Sequence, residues 1–129
     1  MRTRSLVTLL LAACLAACAS EVRQLPAPFQ SLPAAGQRIS LSQEVEAMPE
    51  SGYRRKIAAG SRFQHVGRIS QGEVYKPIAG AAIVVEGRHM HEAWIVLNGG
   101  SLAGFYLPVE QSFSPVGTPV PFPFKHLQE

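Results

Sequence analysis

The chain has 129 residues, 12 Lys+Arg against 9 Asp+Glu, a formal net charge of +3 and two cysteines. All nine acids are glutamate, which excludes Ser-His-Asp triads, EF-hand calcium loops and paired aspartates. That length supplies one domain with a modest core.

Arg2 and Arg4 precede an apolar run from Leu6 to Ala19 that is interrupted only by Thr8 and ends in small residues. This is the layout of a secretory signal peptide. At about fourteen residues the run is shorter than the roughly 18 to 20 that a helix needs to cross a bilayer. Within it the tetrad Leu-Ala-Ala-Cys occurs twice, ending at Cys14 and at Cys18.

Leu-Ala-Ala-Cys resembles the lipobox of bacterial lipoproteins, in which a diacylglycerol is attached to the cysteine sulfur and a dedicated peptidase cuts before that residue. The resemblance covers residues 1–20. If Cys14 were the site, the apolar core ahead of its tetrad would be Leu6 to Leu10, five residues, short of the roughly seven to fifteen of a signal core. Cys18 leaves nine, Leu6 to Cys14, so Cys18 is the expected lipid attachment and Cys14 the second candidate. Ala19 and Ser20 follow Cys18 without the aspartate that retains enterobacterial lipoproteins in the inner membrane. The resemblance therefore implies a lipid anchor on the periplasmic face of the outer membrane, with the bilayer as a partner through acyl chains on Cys18.

Processing before Cys18 would take the twelve cations to ten by loss of Arg2 and Arg4, against nine acids, leaving a net charge of about +1. Nucleic acid is thus not expected as a partner. With Cys14 removed and Cys18 acylated, the mature chain would have no disulfide, no thiolate nucleophile and no cysteine ligand. The expected organisation is a cleaved signal at 1–17, an acylated cysteine and tether at 18–37, and a domain at 38–129. The tether rests on "SEVRQLPAPFQSLPAAGQ", which has three prolines and little periodicity.

The domain reads as strands with turn punctuation. "RISLSQEVEA" alternates Ile39, Leu41 and Val45 with polar residues, although Ser40 and Gln43 would also form a capping box for a helix ending before Pro49. "SRFQHVGRI" and "EVYKPI" follow as strands around a Ser-Gln-Gly turn, then "AAIVVEG", "MHEAWIVL" and "SLAGFYLPV". Asn98-Gly99-Gly100 joins the last two as a hairpin, since asparagine and glycine tolerate positive φ. Pro108 ends that hairpin, and the proline-rich "SPVGTPVPFPF" predicts an extended covering segment or an edge. The fold class is all-β: an antiparallel meander, or a partly open barrel or sandwich, of five to seven strands.

Few residues carry a chemical signal. His89 and His91 are two apart, which in a strand places both rings on one face; Glu92 and His65 are the further ligands a metal would need. A strand end emerging from Gly87 into solvent explains the same pair without a metal, and no cofactor is expected. Arg54, Arg55 and Lys56, followed by Arg62 and Arg68, form a basic run that reads as a solvated loop neutralised by Glu44, Glu46 and Glu50, or as a contact to lipid phosphates. Trp94, Phe105 and Tyr106 read as core rings, or as an exposed platform. There is no Gly-x-Ser-x-Gly elbow and no phosphate-binding glycine loop. The expected function is a non-catalytic structural or adaptor role in the cell envelope, not that of an enzyme, with another envelope protein as partner. The alternative is a small-ligand or metal-binding lipoprotein using the His-x-His strand, and a third reading, a cell-wall hydrolase, has no motif behind it.

Overall fold

The computed structural model describes residues 21–50, 53–78, 82–87 and 89–128; Cys14 and Cys18 lie outside them. The described residues hold twelve strand segments and no helix: β1 (Leu25–Pro26), β2 (Gln30–Ser31), β3 (Arg38–Leu41), β4 (Val45–Ala47), β5 (Arg55–Ile57), β6 (Arg62–Ile69), β7 (Gly72–Ile78), β8 (Ile83–Glu86), β9 (Met90–Asn98), β10 (Ser101–Leu107), β11 (Ser112–Pro121) and β12 (Phe124–His126). Five of these, β6, β7, β9, β10 and β11, have seven residues or more and form the frame. The expected five to seven strands correspond to that frame; the larger total comes from short pieces, most of which pair onto longer strands while β4 and β5 pair with each other.

Ten segments form one antiparallel sheet in the order β1-β11-β10-β9-β7-β6-β3-β12, with β2 added on β6 and β8 on β9, while β4 and β5 pair separately. The Asn98 hairpin closes as its residues dictate: Gly99 and Gly100 have φ of 58° and 83°, where a β-carbon would strain the turn. The segment 39–48 is strand, bend, strand, because Ser42, Gln43 and Glu44 turn the chain between β3 and β4; the competing helix does not form. Past β11 the chain continues through Phe122-Pro123 into β12, which pairs with β3 at the other end of the strand order.

Besides a register shift between His65 and Gly67 on β6, two irregularities on β9 and β10 shape the sheet. On β10 the pairing shifts between Leu102 and Gly104, so Leu102 and Phe105, three residues apart, both face the main core. On β9, Ile95 pairs with Tyr75 of β7 but Ala93 pairs with Ile83 of β8. Between those partners Lys76, Pro77 and Ile78 follow β6 instead, so the sheet forks beside Trp94.

Each face of the sheet has its own apolar cluster. The inner one is built from Ile39, Leu41, Phe63, Ile95, Leu102, Phe105, Leu107 and Phe122, all at most 1% exposed. The outer one consists of Ala27, Ile69, Val74, Val96, Tyr106 and Phe113, with Leu25, Phe29, Val66 and Trp94 packed against it. Alternation along the strands produces both, since Ala93, Ile95 and Leu97 point inward while Trp94 and Val96 point outward.

The expectation of an extended tether at 18–37 is corrected by this outer cluster for its described part, 21–37. Residues 21–37 lie against the sheet: Leu25 pairs with Phe113, Gln30 with Arg68, and the Leu32 N–H donates to the Val66 carbonyl at 3.1 Å. The physical reason is that the outer face is too apolar to be left in water, and Ala27 and Phe29 cover it. Prolines 26, 28 and 33 keep this segment extended without preventing edge pairing.

Candidate functional site

The residues proposed for a metal do not come together. His89 is exposed in the turn before β9, where its carbonyl accepts the Gly87 N–H at 3.1 Å. His91 is drawn to Glu110 beyond β10, with Nδ1 and Oε1 2.7 Å apart and 12% of its side chain exposed. A carboxylate only accepts, so Nδ1 carries the proton in this contact. Glu92 is on the opposite face by strand alternation, where Trp94 Nε1 donates to it at 3.4 Å. His65 is on β6, and its Nε2 donates to the Glu73 carboxylate at 2.8 Å and to the Gly67 carbonyl at 3.1 Å while its ring stacks on Tyr75. Among the described residues no group of three or more His, Cys, Asp or Glu is placed to hold a metal ion.

Tyr75 is the titratable group most visibly altered by its surroundings in that cluster. Burial, and then the neighbouring Glu73 charge, raise its pKa above the ordinary value of 10.0. Burial alone raises that of Tyr106. Both shifts favour the neutral phenol.

The basic run is paired rather than clustered. Arg54 Nε meets Glu46 at 2.8 Å, and Arg55 reaches across to Glu86 at 2.7 Å. Arg23 pairs with Glu50, and Arg68 lies 3.6 Å from Glu73. Of the acids expected to neutralise it, Glu46 does so directly, while Glu86 was not legible because β5 and β8 are far apart in sequence. The aromatic residues divide between the two faces: Phe105 is in the inner core, whereas Trp94 and Tyr106 belong to the outer cluster. Phe29, from the supposed tether, stacks on Tyr106 with centroids 5.1 Å apart and meets Trp94 edge-on at 6.3 Å. Lys76 Nζ lies 5.4 Å from the Trp94 ring centre, a cation–π contact at the fork.

One concavity among the described residues was not foreseen from the sequence. An open groove of about 650 Å³ runs beside β4 and β11, lined by Glu46, Met48, Pro49, Glu50, Arg54 and the stretch Gly117, Thr118 and Val120. It arises because β11 leaves β10 between Pro115 and Val120, and the freed backbone pairs with the chain after β4: Gly117 N–H donates to the Met48 carbonyl at 3.0 Å and Glu50 N–H to the Pro115 carbonyl at 2.9 Å. Its lining mixes apolar Met48, Pro49 and Val120 with Glu46, Glu50 and Arg54, which take part in the Arg54–Glu46 and Arg23–Glu50 pairs. Such a mixture suits contact with a polypeptide better than the chemistry of a small substrate. No protein-family model matches this chain, and no curated protein or solved structure matches it either.

Proposed function

We propose that the protein is a bacterial lipoprotein, cut before Cys18, acylated there, and held on the periplasmic face of the outer membrane. In this reading it acts without catalysis, as an adaptor that offers the groove beside β4 and β11 to another envelope protein. The observation that supports the reading is the position of the first buried residue among those described. Val22 is 5% exposed and packs in the inner core, four positions after the Leu-Ala-Ala-Cys tetrad that ends at Cys18. Cleavage before Cys18 would therefore leave every described element in place. Two or three acyl chains at that cysteine would hold the domain essentially permanently, at about 0.8 kcal/mol per buried methylene, where one chain would not.

The adaptor part rests on the groove, with its exposed Met48 and paired rim charges. Two measurements test the reading. The mass of the first peptide of membrane-extracted protein should show acyl chains on a cysteine followed by Ala-Ser. A photo-cross-linker replacing Thr118 should trap a discrete envelope protein in cells, and one replacing Asn98, which does not line the groove, should not. Unmodified N-terminal peptide would refute the anchor, and an empty result from Thr118 would refute the adaptor.

A further inference from the structure

We infer that one end of the domain is a membrane seat, held flat against phospholipid headgroups; the inference rests on the anchored reading above and assigns that anchor a second, non-covalent contact. The N-terminal segment enters the fold at the end where β9 and β11 begin. Val22 packs so closely on Gly87 that a β-carbon there would come within 2.5 Å of Val22 Cγ2. Gln24 accepts the Ser112 hydroxyl at 3.1 Å, and Arg23 pairs with Glu50. Gly87 after β8, Ser112 at the start of β11 and Glu50 after β4 thus meet around the entry point, tied further by the contacts of Arg55 with Glu86 and His91 with Glu110.

This end also holds the apolar surface that the rest of the fold buries. Met90 is 71% exposed, Val109 77% and Tyr53 66%. Met90 pairs with Glu86 in the ladder and adjoins His91; Val109 adjoins Glu110, to which His91 is bonded; Tyr53 is two residues from Arg55, the partner of Glu86. Met48, the remaining exposed large apolar residue among those described, lines the groove on the flank.

Reach decides what these side chains meet. Only Ala19, Ser20 and Glu21 separate Cys18 from the pinned Val22, so four fully extended residues span at most about 14 Å. A headgroup layer of roughly 5–7 Å, from the difference between the full bilayer and its hydrocarbon core, uses much of that distance. A domain acylated at Cys18 therefore cannot stand off from the bilayer, and the end that carries Val22 is the one that faces it. Tyr53 has the amphipathic ring that suits a membrane interface. Among the described residues, Arg23, Arg54 and Arg55 at this end are paired with Glu50, Glu46 and Glu86, so what Met90 and Val109 offer the bilayer is apolar contact.

The test uses the full chain, expressed with its own leader and reconstituted in phosphatidylethanolamine and phosphatidylglycerol vesicles containing brominated lipid. An environment-sensitive fluorophore is placed on Met90→Cys, on Val109→Cys and, as the distal reference, on Asn98→Cys; β9 separates Met90 from Asn98 by about 27 Å. The labels at 90 and 109 should shift to the blue and lose several-fold more emission to brominated lipid than the label at 98. Equal quenching at all three positions, or none at 90 and 109, in a chain whose first peptide carries acyl groups would overturn the seat and leave the anchor standing. Shielding of position 90 from a water-soluble quencher without quenching by brominated lipid would also overturn it, because the face would then be covered by protein. An unacylated first peptide would remove the anchor and the seat together, and the mass spectrum tells that case from the others.

Discussion

The two faces of the sheet are both apolar, but they are covered by different means. The inner face is closed by the frame itself: β3, β6, β9, β10 and the chain after β11 supply Ile39, Phe63, Ile95, Phe105 and Phe122, and each residue is covered by others from regular strands. The outer face is covered by a strip of chain, with Ala27 and Phe29 laid over Val74, Val96, Trp94 and Tyr106. Closing the inner face requires the whole fold, whereas closing the outer face requires only that residues 25–32 stay down. The first should open with global unfolding and the second by a local, lower-energy route.

Removing the centre of the inner face tests the first half of that contrast and has the largest expected effect. Phe105 is fully buried, and Phe105→Ala should cost about 3–5 kcal/mol through lost burial and the cavity left behind. That is much of the roughly 5–15 kcal/mol available to a small domain. Urea unfolding followed by circular dichroism measures it directly. A loss below about 1 kcal/mol would mean that the inner cluster relaxes freely and does not carry the fold.

Phe29→Ala probes the other face. Its ring is half-buried and stacked on Tyr106, so the expected loss is smaller, about 1–2 kcal/mol. The more telling readout is local. Trp94 is the only tryptophan and touches Phe29, so its emission should shift to the red in the folded variant. The Leu32 N–H, bonded to the Val66 carbonyl, should exchange faster while amides of β9 and β10 keep their protection. Loss of protection everywhere would show that the outer strip is part of a single cooperative unit and would break the contrast.

The same division explains which parts of the fold were legible in the sequence. The β9–β10 hairpin was readable because alternating apolar residues, Asn98-Gly99-Gly100 and Pro108 agree on one local answer. The outer strip was not, since its pairing with β6 and β11 depends on residues tens of positions away and its prolines look like those of a linker. The groove was hidden for the same reason: it depends on where β11 leaves β10, and "SPVGTPVPFPF" marks an extended chain without marking its partner. At the histidines, alternation correctly separates Glu92 from His91, but the bond to Glu110 closes across nineteen residues and no spacing rule reaches it.

The smallest expected effect concerns the two tyrosines, one in each cluster. Tyr75 belongs to the inner cluster and Tyr106 to the outer. Folding raises the pKa of both above 10.0, Tyr75 by burial and then by the Glu73 charge, Tyr106 by burial. A raised pKa means that the folded chain holds the phenol proton more tightly than the unfolded chain does. The associated stability is fully present below the unfolded value near 10 and is lost as pH rises from there through the folded value. Urea titrations of the parent chain from about pH 8 to 11 should therefore show an alkaline decline that Tyr75→Phe and Tyr106→Phe each flatten. Trp94 emission adds the spatial test. If alkali lifts the outer strip first, the emission shift precedes the loss of circular dichroism, and Tyr106→Phe delays that shift without moving the main transition. Coincident transitions in all three chains would mean that the two faces open together, and the outer strip would then have to be counted as part of the frame.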